Sequence, residues 1–216
     1  LTRVCKANGL HSMAFIVYFR SGKNYRKAVH ANGEVSNIYC PLDEDYWRMI
    51  EKEIMFIADR SRGFQIDGVV IDMEQYRGQL NGQSETYGNN TCFCDHCLGG
   101  FGRSHGFSQA AEDVAPSDRY AWLLKNGLLE DYYAYLQREI IRLYSRTVEK
   151  VHKINPSFIF AFCLWTNENW YFDALPRAFG TSKVPVLVLD EGTYYTGYFT
   201  RTPVSDRCAR RPDETY

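Results

Sequence analysis

The chain has 216 residues, 45% hydrophobic and 24% charged, and its 25 basic and 26 acidic residues leave a net charge of −1. Such a chain can bury one sizeable core, and its even charge excludes a nucleic acid or membrane surface recruited by bulk electrostatics. No apolar run approaches the ~20 residues that cross a bilayer.

The first predicted element is a buried strand from Met13 to Phe19, a continuous apolar run between Ser12 and Ser21-Gly22. Residues 20–42 read as a loop, with Gly22, Asn32-Gly33 and Pro41. A helix follows from Glu44 to about Arg60. Asp43 can cap it, and Tyr46, Trp47, Ile50, Ile54 and Ile57 form its apolar stripe. A second strand covers Asp67–Glu74. Residues 75–116 form a polar, glycine-rich insertion, of a length that compact domains keep for function or tie down.

Helical spacing of Leu129, Tyr132, Leu136, Ile140, Leu143, Thr147, Val151 and Ile154 marks a long helical region from Ser117 to Asn155. Asn126-Gly127 breaks it once and Asn155-Pro156 ends it. A third strand (Phe158–Leu164), a short helix around Trp170–Phe179 and a fourth strand (Val184–Leu189) complete the order.

Strands alternating with helices predict a parallel sheet with helices packed outside it. The polar candidates all fall at or beyond strand carboxyl ends: Arg20, Glu74, Trp165-Thr166-Asn167-Glu168 and Asp190-Glu191. Active sites of (β/α)8 barrels lie there. The expected fold is therefore α/β, of the (β/α)8 TIM-barrel type. A doubly wound sheet competes, but no glycine-rich phosphate loop follows any strand. Four strands fall short of eight, the chain is shorter than the ~250 residues typical of that fold, and it starts at Leu1. The expectation is an incomplete barrel or a fragment. Its domain covers 1–200, with the cysteine-rich insertion at 75–116 and a polar tail at 201–216. No signal peptide is visible, and secreted and cytoplasmic compartments both stay open.

The strongest chemical signal is Ile66-Asp67-Gly68-Val69-Val70-Ile71-Asp72-Met73-Glu74. Strand side chains alternate, so Val70, Asp72 and Glu74 share one face. Burying two acids at the end of an apolar strand is costly unless they are paired or titrated. At a barrel mouth Glu74 can hold a proton near neutral pH and deliver it to a leaving oxygen. Asp72 can steady that proton or orient a reacting group. A second carboxylate would complete an acid–base pair, and Asp190 or Glu191 can supply it. Glu191 is favoured because a residue just past the strand can reach inward. Glu168 is a third candidate, deeper in its loop.

Aromatic content is high, with 16 Tyr, 13 Phe and 4 Trp. Tyr18, Tyr76, Trp165 and Tyr194 sit at or beyond strand ends, where rings can stack on sugar rings. Arg20 and Asn167 offer polar contacts to the same cleft. Core packing is the plain alternative for each ring. Asn89-Asn90-Thr91 is a glycosylation sequon. His11, His30 and His152 show no ligand spacing and read as surface or packing residues.

The stretch Asp67-Gly68-x-x-x-Asp72-x-Glu74 resembles the strand signature Asp-Gly-x-Asp-x-Asp-x-Glu of family 18 glycoside hydrolases. The resemblance implies a proton donor at Glu74 and, at Asp72, support for the substrate's N-acetyl group. The chain departs from the signature at Val70, where the family has an acid.

Seven cysteines occur, and three stand within six residues, in Cys92-Phe93-Cys94-Asp95-His96-Cys97. This run is similar to the Cys-x-Cys-x-x-Cys loop of family 42 β-galactosidases, which follows the acid/base strand. The resemblance implies a structural zinc held with a fourth, upstream cysteine, for which Cys40 is the candidate. His96 and His105 are alternative fourth ligands. Free or disulfide-linked cysteines are the other reading. The Asn-Glu dipeptide of that family is absent, and Glu74 follows Met73. The expected activity is hydrolysis of O-glycosidic bonds in an oligosaccharide, polysaccharide or glycoconjugate, with no cofactor for catalysis. The rival readings are a non-catalytic carbohydrate-binding barrel and a zinc-stabilised interaction module.

Overall fold

In chain order the elements are α1 (Thr2–Ala7), β1 (Met13–Val17), β2 (Lys27–Val29), β3 (Val35–Tyr39), α2 (Glu44–Phe64), β4 (Gly68–Asp72), α3 (Asp95–His105), α4 (Arg119–Lys125), α5 (Leu129–Ile154), β5 (Ile159–Leu164), α6 (Trp170–Phe179) and β6 (Leu187–Asp190). They come from a computed structural model that describes residues 2–17, 24–72, 92–107, 113–164 and 170–190, without the side chains of 37–38, 164, 170–173 and 189–190.

Strands β1, β4, β5 and β6 lie side by side in that order, all parallel. Spatial order thus follows chain order. A doubly wound sheet reverses direction at a switch point, and the described sheet has none. A (β/α)8 barrel winds its strands in the same sequential order, and the described residues show four such strands.

Register separates the two faces of the sheet. Ile16 pairs with Ile71, and Ile71 with Phe162. These residues are at most 2% exposed and join one core with Trp47, Ile50, Ile54, Val148 and Phe179 from α2, α5 and α6. The opposite face carries Phe15, Val70 and Ala161 on one rung, then Val17, Asp72 and Cys163 on the next. Ala161 and Cys163 are buried but stand outside that core cluster, and Phe15 is 60% exposed.

The helix expectations hold where the apolar stripe is long. Asp43 caps α2 by accepting from the Tyr46 N–H at 2.8 Å. Helix α2 runs on to Phe64, beyond the expected Arg60, and Gln65 closes it with a positive φ of 56°. Trp47 stacks on Tyr144 of α5 with ring centroids 3.7 Å apart, and its indole N–H donates to Thr147 Oγ1 at 3.0 Å. The break at Asn126-Gly127 separates α4 from α5, with Gly127 at φ 66°.

Three expectations need correction. Residues 20–42 are not all loop, because β2 and β3 form an antiparallel hairpin. These strands are too short to show alternation in sequence. Gly33 closes the turn at φ 86°, where a Cβ would lie 2.6 Å from the Ser117 backbone nitrogen. The 75–116 insertion contains helix α3 despite Gly99, Gly100 and Gly102. Packing overrides propensity there. Leu98 and Phe101 are buried, and a Cβ on Gly100 would stand 2.2 Å from the Tyr135 hydroxyl. The last strand begins at Leu187 rather than Val184. Thr181 Oγ1 accepts from the Lys183 and Val184 N–H groups and holds a turn where strand was expected.

Gly68 has a packing cause. A Cβ there would lie 2.0 Å from the Ile159 carbonyl oxygen of the neighbouring strand. Gly68→Ala is expected to cost about 3 kcal/mol, the upper part of the usual overpacking range. A urea titration should show a lower midpoint with an unchanged slope.

Asp67 anchors the amino end of the sheet. Its carboxylate accepts from the Ser12 N–H at 2.9 Å, pairs with Lys6 and lies 3.4 Å from His11 Nδ1. Burial alone would raise its pKa, but Lys6, the Ser12 amide and His11 together lower it. A carboxylate whose pKa is lowered on folding stabilises the fold above its unfolded pKa. That stabilisation is lost as pH falls through the folded value. Asp67→Asn should therefore flatten the stability curve below about pH 4 and change its slope little near neutrality.

Candidate functional site

Asp72 is the last residue of β4, paired laterally with Val17 and Cys163 on the face turned away from the helices. That is the carboxyl end of the sheet. Asp190 closes β6, paired with Leu164 at the last rung. The other sequence-derived cleft residues lie outside the described residues: Tyr18, Arg20, Glu74, Tyr76, Trp165, Asn167, Glu168, Glu191 and Tyr194.

The four predicted metal ligands are brought together. Cys40 follows β3, Cys92 and Cys94 lie on the approach to α3, and Cys97 sits in its first turn. Their sulfur atoms all lie within 4.8 Å of one another, and all four residues are buried. Cys40 Sγ is 3.4 Å from Cys97 Sγ and 3.7 Å from Cys94 Sγ. A disulfide would require about 2.05 Å, and these cysteines are free. A tetrahedral ion with metal–sulfur bonds of 2.3 Å would hold its ligands about 3.8 Å apart, so this donor set fits such an ion. Neither histidine alternative belongs to the group. His105 Nδ1 instead lies 2.8 Å from Ser104 Oγ and 3.0 Å from the Phe101 carbonyl.

The electrostatics of the cluster point the same way. Hydrogen bonds from Cys40, Cys92 and Cys97 push the Cys94 pKa far down. Burial, then hydrogen bonds with Cys92 and Cys94, pushes Cys40 well up, against a smaller opposing effect of Cys97. Bonds to the other three thiols raise Cys97 in the same manner. A soft divalent cation would let all four ionise. Cys94 is also the N-cap residue of α3, where the helix dipole favours negative charge.

Backbone and side-chain groups far away in sequence hold the chelating loop. The Phe93 N–H donates to the Val29 carbonyl of the hairpin at 2.8 Å. Tyr132 of α5 donates its hydroxyl to the Cys92 carbonyl. Arg119 of α4 donates to the Phe93 carbonyl at 2.7 Å and the Val114 carbonyl at 3.2 Å, and pairs with Asp95. Sequence reading missed Arg119 and took Tyr132 only as part of an apolar stripe. Neither carries a local signal of its role, because the bonds span 26 and 40 residues.

The chain is similar in structure to the β-galactosidase of Rahnella sp. R3, with a TM-score of 0.51, 13% identity, and coverage of 82% of this chain and 29% of that one. It also matches the polyextremophilic β-galactosidase of the Antarctic haloarchaeon Halorubrum lacusprofundi, with a TM-score of 0.47 and 11% identity over 76% of this chain and 28% of that one. The likeness is one of fold. The chain spans less than a third of the length of either enzyme. No protein-family model and no curated protein matches the sequence. Among the described residues no helix is long and apolar enough to cross a membrane.

Proposed function

We propose that this chain forms part of a (β/α)-barrel glycoside hydrolase that cleaves O-glycosidic bonds by carboxylate acid–base chemistry. The observation that supports it is the placement of Asp72. It ends a parallel strand, on the face away from the helices, in a sheet whose strands follow chain order. Glu74 lies two residues further on. On a strand continued through residue 74 it would share the face of Asp72.

In this reading Glu74 starts protonated and donates to the departing glycosidic oxygen. Asp72 orients that proton or the reacting group. Glu191 or Asp190 acts on the opposite side of the sugar, as nucleophile or as general base according to the separation of the carboxyl groups. Tyr18, Tyr76, Trp165 and Tyr194 stack on sugar rings, while Arg20 and Asn167 bind hydroxyls. Cys40, Cys92, Cys94 and Cys97 hold one zinc ion. With four thiolates the site is closed to water, so the ion supplies a cross-link rather than catalysis.

The test is turnover of a panel of nitrophenyl glycosides and unmodified oligosaccharides, with the anomeric product followed by NMR. Hydrolysis of at least one sugar class supports the proposal. Saccharide binding without hydrolysis would convert it into a binding barrel. Zinc binding with no saccharide affinity would leave the interaction module.

A further inference from the structure

We propose that Arg119 and Tyr132 are the positioning residues of the thiolate centre. The inference rests on the reading of the four cysteines as a zinc site.

Arg119 is the one buried cation among the described residues, 5% exposed. A guanidinium withdrawn from water needs compensating negative charge. Its carboxylate partner is Asp95, whose side chain is 90% exposed. A solvated carboxylate compensates little for a desolvated cation. The other acceptors of Arg119 are neutral, the carbonyls of Phe93 and Val114. Four thiolates around a divalent ion carry a formal charge of 2−, and two of these ligands flank Phe93 in the chain. The buried guanidinium is thus held at the Phe93 carbonyl, between two of the ligands.

The geometry supplies the positioning half. The carbonyls of Cys92 and Phe93 are each taken by a side chain, and the Phe93 N–H is taken by Val29. Three bonds from three different elements thus fix the backbone between Cys92 and Cys94.

The test measures zinc affinity by chelator competition in the wild type, Arg119→Met, Arg119→Lys and Tyr132→Phe. Cobalt spectra and unfolding midpoints with and without metal accompany it. Arg119→Met should weaken zinc about 10- to 100-fold, as loss of an outer partner of a metal ligand does. Arg119→Lys keeps the charge and should recover part of that loss. Tyr132→Phe, the mildest change, should weaken zinc several-fold and shift the cobalt–thiolate absorption. Wild-type affinity in Arg119→Met and Tyr132→Phe would overturn the inference and leave the zinc reading standing. So would a fall in unfolding midpoint of equal size in the metal-free and metal-loaded forms. A wild type that binds neither zinc nor cobalt would remove the zinc reading, and the inference with it.

Discussion

Glu74→Gln is expected to lower turnover of unmodified saccharides by about 10²–10⁴-fold, the usual worth of a general acid. The loss should be far smaller for a dinitrophenyl glycoside, whose leaving group departs without a proton. The pH profile supplies a second readout. A general acid works only while protonated, so the wild-type rate should fall as pH rises through the Glu74 pKa. Glutamine cannot titrate, and that alkaline limb should disappear. The unfolding midpoint should stay near the wild-type value, because glutamine keeps the shape of glutamic acid and removes only the proton it transfers. Equal rates of the two proteins on an unactivated saccharide would end the assignment of Glu74.

Removal of zinc is expected to produce the largest change in stability. The wild type should carry one zinc per chain, and Cys97→Ser should lose it. Cys97 is fully buried beside Cys40, so the variant leaves an incomplete ligand set in the interior. The centre ties the β2–β3 hairpin, through Cys40, to the segment that begins α3, and both segments follow strands at the carboxyl end of the sheet. The loss of stability should be on the order of 5 kcal/mol, below the apparent binding energies of zinc-finger peptides. The discount reflects Phe93, Leu98 and Phe101, which are buried in the core and pack without the ion. Thiols must lose protons to bind metal, so zinc affinity should fall with falling pH. A zinc-release dye titrated from neutral to acid pH, together with thermal unfolding, reads both effects. Cys163→Ser should retain the zinc, because Cys163 is not part of the cluster.

The long elements were legible because their signals are local. Helix α5 could be read from its apolar period, and α6 was expected over the residues it occupies. The strands β4 and β5 were legible from short apolar runs. The hairpin and α3 were not. Hairpin strands of three and five residues show too little alternation, and the glycines of α3 argue against a helix until Tyr135 is placed beside Gly100.

By itself the sequence determined which residues are candidates for chemistry. Asp72 and Glu74 stand two apart at the end of an apolar strand, and Cys92, Cys94 and Cys97 stand at chelating intervals, because alternation and short-range spacing are properties of neighbouring residues. Only the tertiary structure decided that Cys40 joins the other thiols in place of His96 or His105, a choice that closes a span of 57 residues. Only it decided that the described strands lie in chain order without a switch point among them, and that a buried Arg119 holds the chelating loop. The reason is the same for each: pairing and burial between distant segments depend on how the helices pack, and no local pattern encodes that.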